Sequence, residues 1–286
     1  MYAPPAMTDL PLFPTSAGPR PGASFTDYLR DHAPHLLPGG ALPGTVGGAG
    51  GATADGGLEF AHGTTILSMR FADGVVMAGD RRATEGHAIA NRNMDKVYAA
   101  DSWSAVGIAG AAGPAMEMVR LFQTELEHYE KVSGEPLSME GKSNKLGQMI
   151  KANLPAAFQG LVVVPLYCGW DERRHRGRVF RYDVTGGRYE DADYATTGSG
   201  GVHARNWIKA FWRPDIDRDA AIDLSITSLF QAADEDAATG GPDLIRRIFP
   251  SVAVIDLNGL VFIPEPDLAA RSERLVNSPA MGYRGA

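Results

Sequence analysis

Hydrophobic positions recur along this chain with two different periods. Over residues 64–71 and 74–79 they form short, nearly continuous runs split by an Asp73-Gly74 turn signal, the pattern of two strands joined in a hairpin. Residues 96–100 and 103–109 read the same way. The period then lengthens: Ala115, Val119, Phe122, Leu126 and Tyr129 follow at steps of four, three, four and three, predicting a helix that ends near Gly134 and Pro136. A second helix is predicted over residues 138–158, with Pro155 its weak point. Strands resume at residues 161–169 and 177–184, with a short piece around Tyr189. Two more helices are expected over residues 201–212 and 218–236, the second carrying Ile222, Ile226, Leu229 and Ala233 at helical spacing. A hairpin of residues 251–256 and 260–263 around Asn258-Gly259 closes the pattern, followed by a helical stretch from Pro266. No internal repeat is visible.

Strands, a helix pair, strands, a helix pair and strands again do not alternate as a parallel βαβ fold does. Two antiparallel sheets packed face to face, with helices outside both, satisfy this order. The predicted fold is therefore α+β, a four-layer αββα sandwich.

Composition changes near residue 58. The stretch before it is crowded with Gly and Pro, ending in Pro43-Gly-Thr-Val-Gly-Gly-Ala-Gly-Gly-Ala-Thr-Ala-Asp-Gly-Gly57, and such a segment cannot offset its ordering entropy by apolar burial. Residues 1–63 are expected to form a flexible leader, with a short amphipathic turn of helix over residues 25–37. The whole chain of 286 residues is 44% hydrophobic and 21% charged with a formal net charge of −7, an ordinary globular composition whose mild acidity argues against nucleic acid or an anionic membrane as partner. The start lacks the basic and apolar regions of a secretory signal, and no later stretch is long enough to span a bilayer. The lone cysteine, Cys168, excludes an internal disulfide and fits a reducing compartment, so a cytoplasmic protein is expected. Residues His32, His35, His62, His87, His128, His175 and His203 show no ligand spacing supported by Cys or carboxylates, and neither a metal nor a cofactor is expected.

Candidate chemistry collects where the leader meets the first strand, at His62-Gly63-Thr64-Thr65-Ile66. Val76-Met-Ala-Gly-Asp80-Arg-Arg82 puts a carboxylate at the end of an apolar strand, Lys96 precedes the next, and Gly107-Ile-Ala-Gly110 forms a glycine-rich strand end before a helix. Taken singly, Asp80 reads equally as a turn residue, Lys96 as a solvated charge, and Gly110 and Ser199 as turn residues.

Taken in order, these segments resemble the β subunits of the proteasome, in the N-terminal nucleophile hydrolase superfamily. The resemblance covers nearly all of residues 64–263 and rests on Gly63-Thr64-Thr65, Ala78-Gly-Asp-Arg-Arg82, Lys96, Gly107-Ile-Ala-Gly110, Gly198-Ser-Gly200 and Asp234-Glu-Asp236-Ala-Ala-Thr239-Gly-Gly-Pro-Asp243. The long leader, with Phe25-Thr-Asp-Tyr-Leu and Leu36-Leu-Pro38, and Thr239-Gly-Gly-Pro-Asp243 are most similar to actinobacterial members. It implies that residues 1–63 are a propeptide removed by self-cleavage at Gly63-Thr64, and that residues 64–286 are a threonine endopeptidase domain. An N-terminal threonine carries its own base, an α-amine of ordinary pKa near ~8. Gly63 suits the cut because a residue without Cβ lets the Thr64 hydroxyl approach the preceding carbonyl. By the same resemblance Lys96 lies beside the Thr64 hydroxyl, Asp80 holds Lys96 charged, the Gly110 N–H supplies the oxyanion hole, and Ser199 and Asp236 hydrogen-bond around the amine. Thr239 stands where the family has Ser or Thr.

The resemblance also implies a substrate pocket of Ala83, Thr84, Ala90, Met94, Tyr98, Ile108, Ala112 and Met116. So apolar a lining would favour large apolar or aromatic residues before the cut bond, since an unpaired charge would be desolvated there; the same residues also read as ordinary core. Implied partners are other β subunits in a heptameric ring, α subunits, and a ring ATPase delivering proteins tagged with a small ubiquitin-like modifier. Three other readings stand beside this one. An HslV-type peptidase shares the Thr-Thr start and the lysine, a non-catalytic ring scaffold would not need the site residues, and a binding module would not react with a threonine-directed inhibitor.

Overall fold

The computed structural model describes residues 63–85 and 88–278, and the turn of helix expected at residues 25–37 lies outside them. In chain order come β1 (Thr65–Phe71), β2 (Gly74–Gly79), β3 (Ala83–Glu85), β4 (Ala88–Asn91), β5 (Val97–Asp101) and β6 (Ser104–Gly107). The helices α1 (Ala112–Ser133), α2 (Met139–Ala152) and α3 (Leu154–Ala157) follow, then β7 (Leu166–Asp171), β8 (Arg176–Tyr182), β9 (Arg188–Asp191) and β10 (Tyr194–Gly198). The remaining elements are α4 (Gly201–Phe211), α5 (Arg218–Glu235), β11 (Ser251–Asp256), β12 (Gly259–Phe262) and α6 (Glu265–Val276). None of the described helices is long and apolar enough to cross a membrane.

Two antiparallel five-stranded sheets result, in the orders β10-β1-β2-β11-β12 and β5-β6-β7-β8-β9, with β3 and β4 a separate hairpin. Side chains alternate across each strand, and both faces of the central strands are buried. Val75 and Met77 of β2 join Ala105 of β6 and Leu166 and Cys168 of β7 in a core between the sheets. Their neighbours Val76 and Ala78 pack instead with Ile222, Ile226 and Leu229 of α5. On the second sheet Val106, Tyr167 and Phe180 face Val119 and Phe122 of α1 and Leu146 and Ile150 of α2. These three apolar layers require four layers of backbone, and the predicted αββα sandwich is what forms.

Helix ends follow local chemistry. Gly134 closes α1 in the left-handed region at φ 78°, its N–H donating to Glu130 O; Ser138 caps α2 by accepting from the Gly141 N–H, and Asp217 caps α5 by accepting from Ala220 N–H. The predicted helix over residues 138–158 is interrupted at Asn153, and α3 restarts with its proline in the first turn, where no N–H is required. Tyr129, placed by periodicity on the buried stripe of α1, is 44% exposed; the buried stripe ends one turn earlier, at Leu126. The strand expected from residue 161 begins at Leu166, while Val163 makes a single bridge to Gly110. Three short strands, β3, β4 and β10, escaped the pattern: β4 is wholly exposed, and Tyr-Ala-Thr-Thr-Gly at the sheet edge buries only Ala195.

Helix α5 is buried over much of its circumference, with Ser225, Thr227 and Ser228 among its buried residues. Their hydroxyls donate back to Ala221 O, Asp223 O and Leu224 O, so no polar atom of the three is left without a partner.

One buried cation ties the far sheet together. Arg178 of β8 is 1% exposed and its guanidinium meets Glu140 of α2, Asp171 of β7 and Glu190 of β9, with the Phe180 ring beneath it at 4.8 Å. Replacing it leaves three carboxylates facing one another. Arg178→Met is expected to lower unfolding free energy by about 3 kcal/mol, measured by urea denaturation; a change within error would show that the cluster contributes nothing.

Candidate active site

The residues singled out from the sequence lie at the ends of strands. Thr64 precedes β1, Asp80 follows β2, Lys96 precedes β5, Ser199 lies between β10 and α4, and Asp236 caps the C-terminus of α5. Five of the six fall in two bonded groups, Thr64–Ser199–Asp236 and Asp80–Lys96, which meet at the Gly63 carbonyl. Gly110, the sixth, follows β6 apart from that network.

Asp80 has no exposed surface and accepts four hydrogen bonds. Its Oδ1 takes the Thr65 N–H at 2.8 Å and the Lys96 ammonium at 2.7 Å; Oδ2 takes the Arg82 N–H at 3.0 Å and the Gly240 N–H at 2.9 Å. The Lys96 side chain is 2% exposed, and besides Asp80 its ammonium donates to Arg82 O and, at 3.4 Å, to Gly63 O. Burial pulls the Lys96 ammonium below the ordinary lysine range, while the Asp80 carboxylate opposes that fall. Every donor and acceptor of the pair has a partner, the condition under which a buried ion pair keeps its place.

Thr64 faces this pair. Its hydroxyl donates to Gly63 O at 2.8 Å, so the hydroxyl and the lysine ammonium meet at the same carbonyl. Thr64 N–H donates to Ser199 Oγ at 3.3 Å, and the Ser199 hydroxyl donates to Asp236 Oδ2 at 2.5 Å. Asp236 Oδ2 also accepts from Thr239 Oγ1 at 2.6 Å, and Oδ1 from the Ala238 N–H at 3.0 Å. Burial alone would raise the Asp236 carboxyl; the hydrogen bonds from Ser199, Thr239 and Ala238, with the charge of His203, outweigh it and hold Asp236 below the ordinary carboxylate range.

Glycines make this closeness possible. A Cβ on Gly63 would lie 1.9 Å from the Ala238 Cβ, a reason for glycine additional to the one expected from sequence. Gly198, at φ 93°, would push a Cβ to within 1.9 Å of Thr64 O. Gly110, at φ 103°, has Val162 O only 2.1 Å from where a Cβ would sit. The bridge there runs through Ala111 N–H to Val162 O and Val164 N–H to Ala109 O, leaving the Gly110 N–H outside the pairing.

Of the expected pocket residues, Ile108 belongs to the apolar cluster under α1 and α2, with Met94, Tyr98 and Met116 packed against it. The Tyr98 hydroxyl donates to Asp95 O and is thereby satisfied. Ala83 and Ala90 belong to the β3–β4 hairpin and Ala112 opens α1. Thr84 accepts the Gly63 N–H at 2.8 Å. Sequence reasoning assigned no role to Thr65, Arg82, Ala238 or Gly240; the last three enter through backbone groups or bare shape, which carry no signature in residue type, while Thr65 adds a hydroxyl 2.6 Å from Thr239 Oγ1.

A carboxyl held down in the folded protein contributes stability above its unfolded value, near ~4, and loses that contribution as pH falls through the lower folded value. The stability gap between wild type and Asp236→Asn, read from urea unfolding between about pH 3 and 6, should therefore narrow toward acid. A gap independent of pH would contradict the assignment.

The protein-family model described as proteasome subunit matches residues 60–245. A proteasome subunit beta of Acidimicrobium ferrooxidans is 55% identical over 254 residues, 87% of each chain. Those of Jonesia denitrificans and Streptomyces griseus are 46% and 55% identical over 92% and 84% of this chain, and 85% and 83% of their own. Fold, site order and these relatives agree, and the chain belongs to the proteasome subunit family, as a subunit of the β type.

Proposed function

We propose that Thr64 becomes the N-terminal nucleophile of a threonine endopeptidase once the Gly63-Thr64 bond is cut, and that residues 1–63 are the propeptide so removed. The observation that carries this reading is the convergence of the Thr64 hydroxyl and the buried Lys96 ammonium on Gly63 O. In the self-cleavage step the Thr64 oxygen attacks the Gly63 carbonyl carbon, the C–N bond breaks, and the nitrogen gains the proton as a free amine. Water then hydrolyses the resulting ester. Lys96 stabilises charge on that carbonyl oxygen.

The freed α-amine serves next as the base that takes the Thr64 hydroxyl proton when a substrate carbonyl is attacked. Ser199 supports this role by the direction of its bond. Its only proton goes to ionised Asp236, so toward the amine it can only accept, which leaves the nitrogen lone pair for Thr64. The Gly110 N–H, outside the bridge beside it, is assigned to the oxyanion of the peptide substrate. The apolar set of Met94, Tyr98, Ile108 and Met116 favours large apolar side chains before the cut bond.

Membership of this family implies assembly with α subunits in a core particle. A heptameric β ring, delivery of tagged proteins by a ring ATPase and a cytoplasmic location are the finer parts of the proposal, and they rest on the resemblance of the sequence motifs to that family.

Intact mass after co-expression with an α subunit tests the reading. Wild type should lose residues 1–63 while Thr64→Ala keeps them; identical processing of both would remove Thr64 from the mechanism. A second test concerns the ion pair. Asp80→Asn offers one acceptor oxygen to four donors and removes the charge that keeps Lys96 protonated. Peptide hydrolysis should fall about 100-fold or more, and further at alkaline pH, where the uncompensated ammonium gives up its proton sooner; a loss constant across pH would assign Asp80 a purely packing role.

A further inference from the structure

Thr65 side-chain and backbone atoms touch two networks that otherwise meet at the Gly63 carbonyl, which accepts from both the Thr64 hydroxyl and the Lys96 ammonium. Its N–H donates to Asp80 Oδ1 at 2.8 Å and its carbonyl accepts the Asp80 N–H at 3.1 Å, pinning it to the carboxylate that holds Lys96. Its hydroxyl lies 2.6 Å from Thr239 Oγ1, which itself donates to Asp236 Oδ2. Strand alternation explains the division. Ile66 points into the core between the sheets and Leu67 toward the α5 side, so Thr65 shares Leu67's face, opposite the face of Ile66.

Proton counting gives these bonds one direction. Asp236 is held ionised and only accepts, so the single Thr239 proton is committed to it. In the short Thr65–Thr239 contact the proton must then come from Thr65. The result is a chain in which Thr65 donates to Thr239 and Thr239 to Asp236, with Ser199 donating to the same oxygen from the other side and accepting from Thr64 N–H. Little slack exists around it: a Cβ on Gly200 would lie 2.4 Å from Thr65 Oγ1 and 2.5 Å from Thr239 Oγ1.

We propose that the Thr65 hydroxyl is a positioning group for the reaction at Thr64, fixing the Thr239–Asp236–Ser199 chain in the donor order that leaves the Thr64 nitrogen free to act as base, while its backbone holds Asp80 toward Lys96. Thr65 is fully buried and its side chain bonds to Thr239 rather than to Thr64, so it acts through the others. A second role for the hydroxyl, merely filling its own hydrogen-bond need, would be met by any nearby acceptor and would not set the direction of the chain. The inference rests on Thr64 being the nucleophile.

The test compares wild type, Thr65→Ala, Thr65→Ser and Thr64→Ala, each as the full chain co-expressed with an α subunit, followed by intact mass and by hydrolysis of a fluorogenic peptide ending in an aromatic residue. Thr65→Ala should process and assemble but lose about tenfold in kcat with KM unchanged, and Thr65→Ser, which keeps the donor, should recover most of that loss. Should Thr65→Ala stay unprocessed, recovery of self-cleavage by Thr65→Ser carries the same meaning. A Thr65→Ala enzyme within about twofold of wild type, or a Thr65→Ser enzyme as impaired as Thr65→Ala, overturns the proposal. Activity surviving in Thr64→Ala would instead overturn the reading beneath it, which keeps the two failures apart.

Discussion

A lysine ammonium shut away from water has to be surrounded by acceptors, and the rest of this site follows from that requirement. Lys96 meets a carboxylate and two carbonyls, and the carboxylate in turn collects three backbone N–H groups. Those groups come from the start of β1, the turn after β2 and the loop after α5. One ion pair thus fixes three separated pieces of chain, and both sheets must be correctly packed before it can form. Apolar residues of similar volume would hold such a place at least as well energetically. The pair makes sense through the charge it delivers to the Gly63-Thr64 bond.

Around that pair the architecture is a means of delivery. Strands β1 and β2 carry two consecutive layers of core on their alternating faces, so their ends cannot drift, and the site sits at those ends. Helix α5 is wedged between sheet and neighbours with its buried hydroxyls turned back on its own carbonyls, and it presents Asp236 at its terminus. The three apolar layers and the polar centre depend on the same strands, so packing and chemistry are not separable here.

Much of this was legible in the chain. Dense apolar runs such as Val75 to Ala78 mark central strands because both faces are covered, and the steps from Ala115 to Leu126 mark a helix with one covered face. What escaped was material whose position depends on partners distant in sequence. The strand Tyr194–Gly198 is nearly devoid of apolar signal and exists because β1 offers an edge; β4 is exposed throughout. The same holds at the site. Thr64, Asp80 and Lys96 are legible as residue types in a familiar order, whereas Gly240 and Arg82 contribute amides and a carbonyl that any residue would carry. Thr65 looked like the second half of a motif, and only the fold shows that its hydroxyl meets Thr239.

On the proposed mechanism, the closeness of Gly63 to Ala238 separates the two cleavages assigned to one nucleophile. Within its own chain Thr64 meets a carbonyl whose residue has no room for even a methyl group. A substrate arriving from outside would, under the same proposal, present its side chain to the apolar lining around Ile108, where bulk is an advantage. On that proposal the enzyme would obey opposite size rules toward itself and toward others: small before the bond that matures it, large before the bonds it cuts.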